Sequence, residues 1–169
     1  GHGGSFMATL GEMKFRELGD GKVEVTMSPD YAMTMNAVRP DGSILMAFSS
    51  AFDVPGLTGG PDGTLVDDSD IVLFTPTSTG DTTAGAFSFY FDGSDVGLEA
   101  NAEDIDGIHE LSDGRLLLST TGSASGTGFT AADEDVLLFT PTGLGATTAG
   151  TFSVHFDGSD VGLTSGNDD

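Results

Sequence analysis

The sequence predicts an all-β fold made of four-stranded antiparallel repeats, and three observations support this prediction. The octapeptide FDGSDVGL at residues 91–98 returns unchanged at residues 156–163, 65 positions later. The same offset carries residues 73–77, LFTPT, onto residues 138–142. No stretch shows a sustained helical period, whereas short apolar runs alternate with turns rich in Gly, Asp and Pro. The internal repeat therefore has to be interpreted before any local motif.

The first part of the chain predicts two hairpins. Residues 13–18 and 22–27 flank Gly19-Asp20-Gly21, a strong turn signal, and Val23, Val25 and Met27 alternate with polar residues. Residues 31–38 and 43–48 flank a second turn at Pro40-Asp41-Gly42. We expect four short strands here.

The remaining strands are predicted at matching places in the two repeats. In the first repeat a long loop at 51–67 precedes strands at 70–75 and 86–92, which are separated by a turn at 77–85. The second repeat has the same order, with strands at 104–111, 115–120, 135–140 and 151–157, a loop at 122–132 and a turn at 143–150. Each unit thus has four strands, with one longer loop between its second and third strands.

The chain divides on this pattern into two repeats and three shorter pieces. The predicted segments are a tag remnant at 1–6, a half-repeat hairpin at 7–30, repeat 1 at 31–98, repeat 2 at 99–163 and a tail at 164–169. Four antiparallel strands per unit are typical of a β-propeller blade, so about two and a half blades are expected. A propeller needs roughly four to eight blades, and several chains would have to complete a ring by oligomerisation. The alternative is a β-sandwich whose halves arose by duplication.

The charge excludes several classes of partner. The 27 acidic residues against 5 basic ones give a net charge of −22, which repels nucleic acid and anionic membranes. No apolar run is long enough to span a bilayer, so membrane insertion is not expected. There is no cysteine, hence no disulfide framework. An excess of carboxylates favours bound cations or a high-salt setting.

Calcium is the predicted cofactor, because up-and-down topology gathers many carboxylates at one end of the units. Calcium takes six to eight oxygen ligands, and carboxylates without basic partners need neutralisation. The candidate ligands follow the fourth strands or open the first strand of repeat 2, and they are Asp92, Asp95, Asp104, Asp106, Asp157 and Asp160. The competing interpretation is turn chemistry alone, since Asp and Ser bond nearby backbone N–H groups and Gly accepts positive φ. The EF-hand pattern is absent.

No catalytic constellation is recognisable. His109 and His155 lie on predicted strands, and neither aligns with a histidine in the other repeat. Residues 119–123 lack the partners of a Ser-His-Asp triad. Carboxylate pairs of the glycosidase type would arise by chance among so many aspartates. We therefore predict a protein that is not an enzyme.

The repeat motifs resemble those of large secreted or surface-attached bacterial proteins. The resemblance rests on Asp133-Glu134-Asp135-Val136, on FTPT at 139–142, on FDGSDVGL at 156–163 and on the acidic start of repeat 2 at 103–106 with the DGRL turn at 113–116. It covers residues 66–169 well and the first sixty weakly. That family has no characterised activity, so the resemblance implies an extracellular repeat module and no named reaction.

Three functions remain open at this point. The first is a non-enzymatic structural or adhesive module, calcium-stabilised and self-associating, secreted or on the cell surface. The second is a fragment of a propeller hydrolase. The third is a carbohydrate-binding module that uses the loops at 51–67 and 122–132, with a glycan or a cell-surface ligand as partner. Near-identity of the repeats favours the first, because catalysis normally requires one unit to diverge at its site.

Overall fold

The computed structural model describes residues 33–100 and 102–163, together with the backbones of three earlier strands; side chains are described from residue 37 onward. The regular structure is antiparallel β-sheet, apart from two single-turn 3-10 helices. The all-β prediction is therefore confirmed. The predictions for residues 1–4, for the turn at 28–30 and for the tail at 164–169 lie outside the described residues.

The first three strands form a sheet of their own. They are β1 (Ser5–Ala8), β2 (Met13–Gly19) and β3 (Lys22–Thr26), hydrogen-bonded in the order β1-β2-β3. The predicted hairpin around residues 19–21 is thus confirmed as β2 and β3, which pair antiparallel. Strand β1 extends it by one strand and includes residues 5 and 6, which the sequence had suggested were a tag remnant.

The next sheet corresponds to repeat 1 and pairs in the order β4-β5-β8-β9. A small separate hairpin, β6 and β7, lies between its second and third strands, and the 3-10 helix η1 follows its fourth. The bounds are β4 (Met33–Val38), β5 (Ile44–Phe48), β6 (Phe52–Asp53), β7 (Leu65–Val66), β8 (Ile71–Ser78), β9 (Ala84–Phe91) and η1 (Ser94–Val96).

Repeat 2 has the same arrangement, with the sheet order β10-β11-β14-β15, an inserted hairpin β12-β13 and a closing 3-10 helix η2. The bounds are β10 (Ile105–Glu110), β11 (Leu116–Thr120), β12 (Ala124–Gly126), β13 (Phe129–Ala131), β14 (Val136–Gly143), β15 (Ala149–Phe156) and η2 (Ser159–Val161). We call the two four-stranded sheets the first and the second sheet below.

The two sheets match down to their irregularities. The pairing register of the third strands shifts by one residue at Ile71/Val72 and at Val136/Leu137, which marks a β-bulge at each place. The first strands also have equivalent bulges, at Met33/Met35 and Ile105/Gly107. A bulge adds local twist, so equal bulges give the two sheets the same curvature. The predicted repeat is thus a repeat of backbone geometry as well as of sequence.

Strands β8 and β14 run further than predicted, through the proline that follows each expected strand end. Pro76 pairs with Gly85, and a bulge follows at once. A proline lacks an N–H donor and is tolerated in a strand at such a bulge. A Cβ on Gly85 would lie 2.5 Å from Cζ of Phe74 and 2.4 Å from the carbonyl oxygen of Thr75, so only glycine lets the Phe74 ring lie over this point. Gly150 and Phe139 repeat the arrangement.

The loops at 51–67 and 122–132 each contain a short hairpin that the sequence analysis did not predict. These strands have only two or three residues, too few for an alternating pattern to be visible. Val54, Leu57 and Val66 from the first loop pack into an apolar cluster with Phe74 and Phe87. The hairpin therefore covers one face of the first sheet.

The other face of the first sheet is covered by the second sheet. One apolar cluster joins Leu45, Ile71 and Phe91 of the first sheet to Leu118 and Phe139 of the second. The Phe91 and Phe139 rings meet edge to face, with their centroids 5.2 Å apart. Phe91 has no exposed surface. This face-to-face packing is the main apolar contact between the repeats.

Candidate functional site

The acidic loop after β9 folds on its own side chains. Asp92 Oδ1 accepts hydrogen bonds from Ser94 Oγ at 2.7 Å and from the Asp95 N–H at 3.3 Å. The chain then makes one 3-10 turn and leaves it through Gly97, whose φ of +91° is in the left-handed region. Asp, Ser and Gly are the residues that such a turn requires. The repeated octapeptide is therefore in part a loop-forming sequence.

A second aspartate ties each of these loops to the start of the third strand. Asp70 is buried, and its carboxylate accepts the Asp67 N–H at 2.7 Å and the Gly93 N–H at 3.2 Å. Asp135 does the same in repeat 2, with the N–H groups of Ala132 at 2.9 Å and Gly158 at 3.0 Å. Burial raises the pKa of Asp70 to about 6, although both backbone bonds oppose the rise. The sequence analysis did not include either residue among the six candidate ligands.

The loop after β9 also joins the two sheets through polar contacts. The Asp92 N–H donates to Thr148 Oγ1 at 2.9 Å, and Asp95 Oδ2 accepts the Thr148 N–H at 2.8 Å. The Gly145 N–H donates to the Tyr90 carbonyl oxygen at 2.8 Å. Two of the predicted calcium ligands, Asp92 and Asp95, thus take part in a contact between repeats.

This contact differs from the expected layout. The same up-and-down topology that gathers the acids at one end of a unit puts the turn between the third and fourth strands at its opposite end. Within each sheet the antiparallel pairing does place it there, because β14 and β15 run in opposite directions. Between the sheets, however, the turn of the second sheet lies against the acidic end of the first. The packing between the sheets decides this, and no local sequence pattern encodes it.

The acids at the start of repeat 2 lie beside those that precede β8. The Ile105 N–H donates to the Asp68 carbonyl oxygen at 3.1 Å. Partial burial, Asp67 and Asp104 together raise the pKa of Asp68 to about 6. The pKa of Asp104 is raised as well, first by partial burial and also by the charge of Asp67. Of the predicted ligands, Asp104 lies near Asp67, and Asp92 lies near Asp70, whose pKa its charge also raises.

The other three predicted ligands lie apart from these carboxylates. Asp106 accepts the Ser119 hydroxyl at 2.6 Å, and Asp157 accepts the Ser159 hydroxyl at 2.7 Å. Asp160 is exposed at the end of repeat 2. Among the residues that the structure describes, no three His, Asp or Glu side chains are arranged to hold a metal ion. Calcium binding stays a prediction.

Glu103 is a buried carboxylate with a clear structural role. It accepts the N–H groups of Glu99 at 2.8 Å, Ala100 at 2.7 Å and Ser125 at 3.0 Å. Burial would raise the pKa of Glu103, but the three backbone bonds together lower it. Glu103 thereby holds the connection between the two sheets against the β12-β13 hairpin.

An ion pair links the two sheets near their first strands. Arg39 reaches Glu110 with Nε at 2.5 Å and Nη2 at 3.2 Å, a bidentate arrangement. The Tyr90 hydroxyl donates to the same carboxylate at 2.9 Å, and burial followed by this bond raises the pKa of Tyr90 to about 12. The sequence has 5 basic residues against 27 acidic ones, so it indicates only that Arg39 will bind one of many carboxylates. Only the fold shows which one it binds.

A cleft of about 310 Å³ opens beside the acidic loop of repeat 1. Its lining combines the long loop at 51–67, the acidic loop and the turn of the second sheet, and it includes Asp67, Asp70, Asp92, Asp95, Leu65 and Ala146. His109 and His155 are both exposed and do not line it. The cleft carries negative charge, and Asp70, Asp92 and Asp95 in its wall accept hydrogen bonds from backbone N–H groups.

No protein-family model, curated protein or solved structure matches this chain. In the part of the chain that the structure describes, none of the helices has the length and apolar character to cross a bilayer.

Proposed function

We propose that this protein is a non-enzymatic structural module whose four-stranded units stack on one another and bring copies of the chain together. One observation supports this most directly. Two units with the same strand order and the same bulges share a single apolar cluster, formed by unlike faces of the two sheets. The second unit packs one face on the first unit and leaves its opposite face for a further unit, an arrangement suited to serial stacking.

The packing of the carboxylates also favours a structural role. The buried acids Asp70, Asp92, Glu103 and Asp135 each accept backbone or hydroxyl hydrogen bonds that hold loops together. Groups used in this way stabilise the fold of the unit. Retention of Asp70 and Asp135 at equivalent places gives the two units the same loop geometry.

The finer architecture that we propose is propeller-like, with several chains completing a ring. Contacts between unlike faces close into a ring if the rotation between units allows it and otherwise grow as an open array. The resemblance of the repeats to secreted bacterial proteins supports an extracellular or cell-surface setting, where calcium would offset the net charge of −22. Adhesion to a glycan or another surface ligand would then use the exposed loops.

The mass of the particle in solution tests this proposal. We expect light scattering behind size-exclusion chromatography to show association that increases with protein concentration and with salt. A single discrete oligomer supports a ring, and a mass that keeps rising supports an open array. A strictly monomeric particle at every concentration and salt contradicts self-assembly.

A further inference from the structure

The same octapeptide lies in two different environments in this chain. Phe91 is fully buried, whereas its equivalent Phe156 is 39% exposed. Leu98 is 1% exposed, whereas its equivalent Leu163 is 38% exposed. Identical residues in identical local structure differ because the second sheet covers the first, and no described residue covers the second.

The exposed residues belong to one continuous face of the second sheet. Leu117 pairs with Leu138 across β11 and β14, as Leu45 pairs with Leu73 in the first sheet. Leu45 is fully buried under the second sheet, whereas its equivalent Leu117 is partly exposed; Leu73 and Leu138 are both partly exposed. We call this surface the open face; it consists of Leu117, Leu138, Phe156, Val161 and Leu163. Exposed apolar side chains grouped in this way mark an interaction surface.

The contact between the two repeats shows what such a face binds. The first sheet receives an apolar sheet face together with a turn, and Thr148 of that turn bonds to Asp92 and Asp95. The matching loop of the second sheet, with Asp157 and Asp160 in the same places, is exposed and has the same 3-10 turn. Half of the interface is therefore already formed, and no described residue occupies it.

A second copy of the chain carries a turn equivalent to the one that the first sheet receives. Its turn at residues 80–83 repeats the turn at 145–148: in both, the threonine hydroxyl donates to the glycine carbonyl, at 3.3 Å from Thr83 and 2.8 Å from Thr148. Gly80 and Gly145 both have positive φ, +107° and +97°. Thr148 is buried by the contact, whereas Thr83 is partly exposed. The turn at 80–83 is thus preformed and accessible.

We propose that the open face and the loop at 157–160 bind the turn at 80–83 of a second copy of this chain, head to tail. The proposal rests on the proposed function and names its interface. Thr83 of the second copy takes the place of Thr148. Its N–H donates to the Asp160 carboxylate, and its hydroxyl oxygen accepts the Asp157 N–H. Phe156 becomes buried as Phe91 is.

One substitution between the turns makes this association dependent on salt. Ala146 lines the acidic cleft with Asp92 and Asp95, but the equivalent residue of the other turn is Asp81. Docking would bring Asp81 against Asp157 and Asp160. Like charges at such short range repel until salt or a divalent cation screens them. Association is therefore weak at low ionic strength and is strengthened by sodium chloride or calcium.

Sedimentation velocity on four single variants tests the interface. We expect Phe156→Ser to weaken association at least about tenfold, as for a central aromatic contact. Val154→Ser is the matched control: Val154 is 41% exposed on the same strand but pairs with the buried Leu137 on the opposite face, so wild-type association is expected. Asp81→Ala should tighten association about fivefold at low salt and reduce its salt dependence. Thr83→Glu should abolish it, and circular dichroism melting checks that every variant is folded.

Mixing two variants determines the orientation. Phe156→Ser retains the turn and Thr83→Glu retains the open face, so neither should associate alone, but an equimolar mixture should form a one-to-one pair. If Thr83→Glu associates alone as the wild type does, two open faces bind each other and the head-to-tail proposal is wrong. If Phe156→Ser associates as strongly as the wild type, this interface is wrong, but the proposal that the chain self-assembles is retained. If the wild type and Asp81→Ala are both monomeric at every salt concentration, the interface and the proposed self-assembly are both wrong.

Discussion

The two phenylalanines of the repeated octapeptide allow one substitution to be compared in two environments within one chain. Phe91→Ala removes a fully buried ring that meets Phe139 edge to face. Loss of the transferred surface and the remaining cavity should lower the free energy of unfolding by about 3–5 kcal/mol. The lost aromatic pair contributes to the upper part of this range.

Phe156→Ala should cost far less in the monomer. The side chain is 39% exposed and lies at the end of the last strand, where water fills the vacated space. Full burial of such a side chain contributes about 1.5–3 kcal/mol, so partial burial without a cavity gives a cost of roughly 1 kcal/mol. The difference between the two variants isolates the contribution of the second sheet.

Urea unfolding at low protein concentration measures both values, with thermal melting as a second measurement. For a chain of this length each kcal/mol corresponds to about 2–4 °C in Tm, so Phe91→Ala should melt roughly 6–20 °C below the wild type. Equal losses for the two variants would refute the argument, since they would mean that the second sheet does not bury Phe91. At high protein concentration the cost of Phe156→Ala should increase if its face becomes an interface.

Three further predictions concern charged groups. Arg39→Met should lower the free energy of unfolding by about 1 kcal/mol, because it leaves the half-buried Glu110 carboxylate without its guanidinium partner. Chemical unfolding measures this loss. An unchanged free energy of unfolding would contradict a role of the ion pair in holding the sheets together. The pKa of Asp68 is raised to about 6, so between about pH 4 and 6 the folded chain holds a proton that the unfolded chain releases. Stability should therefore increase relative to Asp68→Asn as pH falls through this window, and parallel pH profiles of the two proteins would exclude the effect. Millimolar calcium should raise the Tm above its value in EDTA, and the double variant Asp157→Asn, Asp160→Asn should reduce that rise. If the wild type has the same Tm in both buffers, calcium does not bind and the aspartates only form the turns.

The strand order could be predicted from sequence because it depends on local chemistry. Alternating apolar residues and Asp-Gly turns determined the hairpins β4-β5 and β10-β11, and the structure has them within two residues of the expected bounds. The strands around Pro76 and Pro141 were predicted too short, because a proline at a bulge and a proline at a turn look alike in sequence. The hairpins inside the two long loops were missed because their strands are too short to show a period.

The candidate site was only partly predictable for the same reason. The sequence located the aspartates that follow the fourth strands, but it did not distinguish a metal ligand from a loop-forming residue. Asp70 and Asp135, which tie those loops to the third strands, precede apolar runs and have no signal of their own. The Arg39–Glu110 pair joins residues 71 positions apart and depends wholly on the packing of the sheets.

The sequence alone determined the repeat, the antiparallel order of its strands and the loop chemistry, because all three depend on residues close together in the chain. The tertiary structure decided which copy of each repeated residue is buried. Residues 91–98 and 156–163 are identical in sequence, yet Phe91 is enclosed and Phe156 is exposed, because a sheet packs on the first and not on the second. Burial is a property of the neighbours that the fold supplies, and two identical segments can differ in it completely.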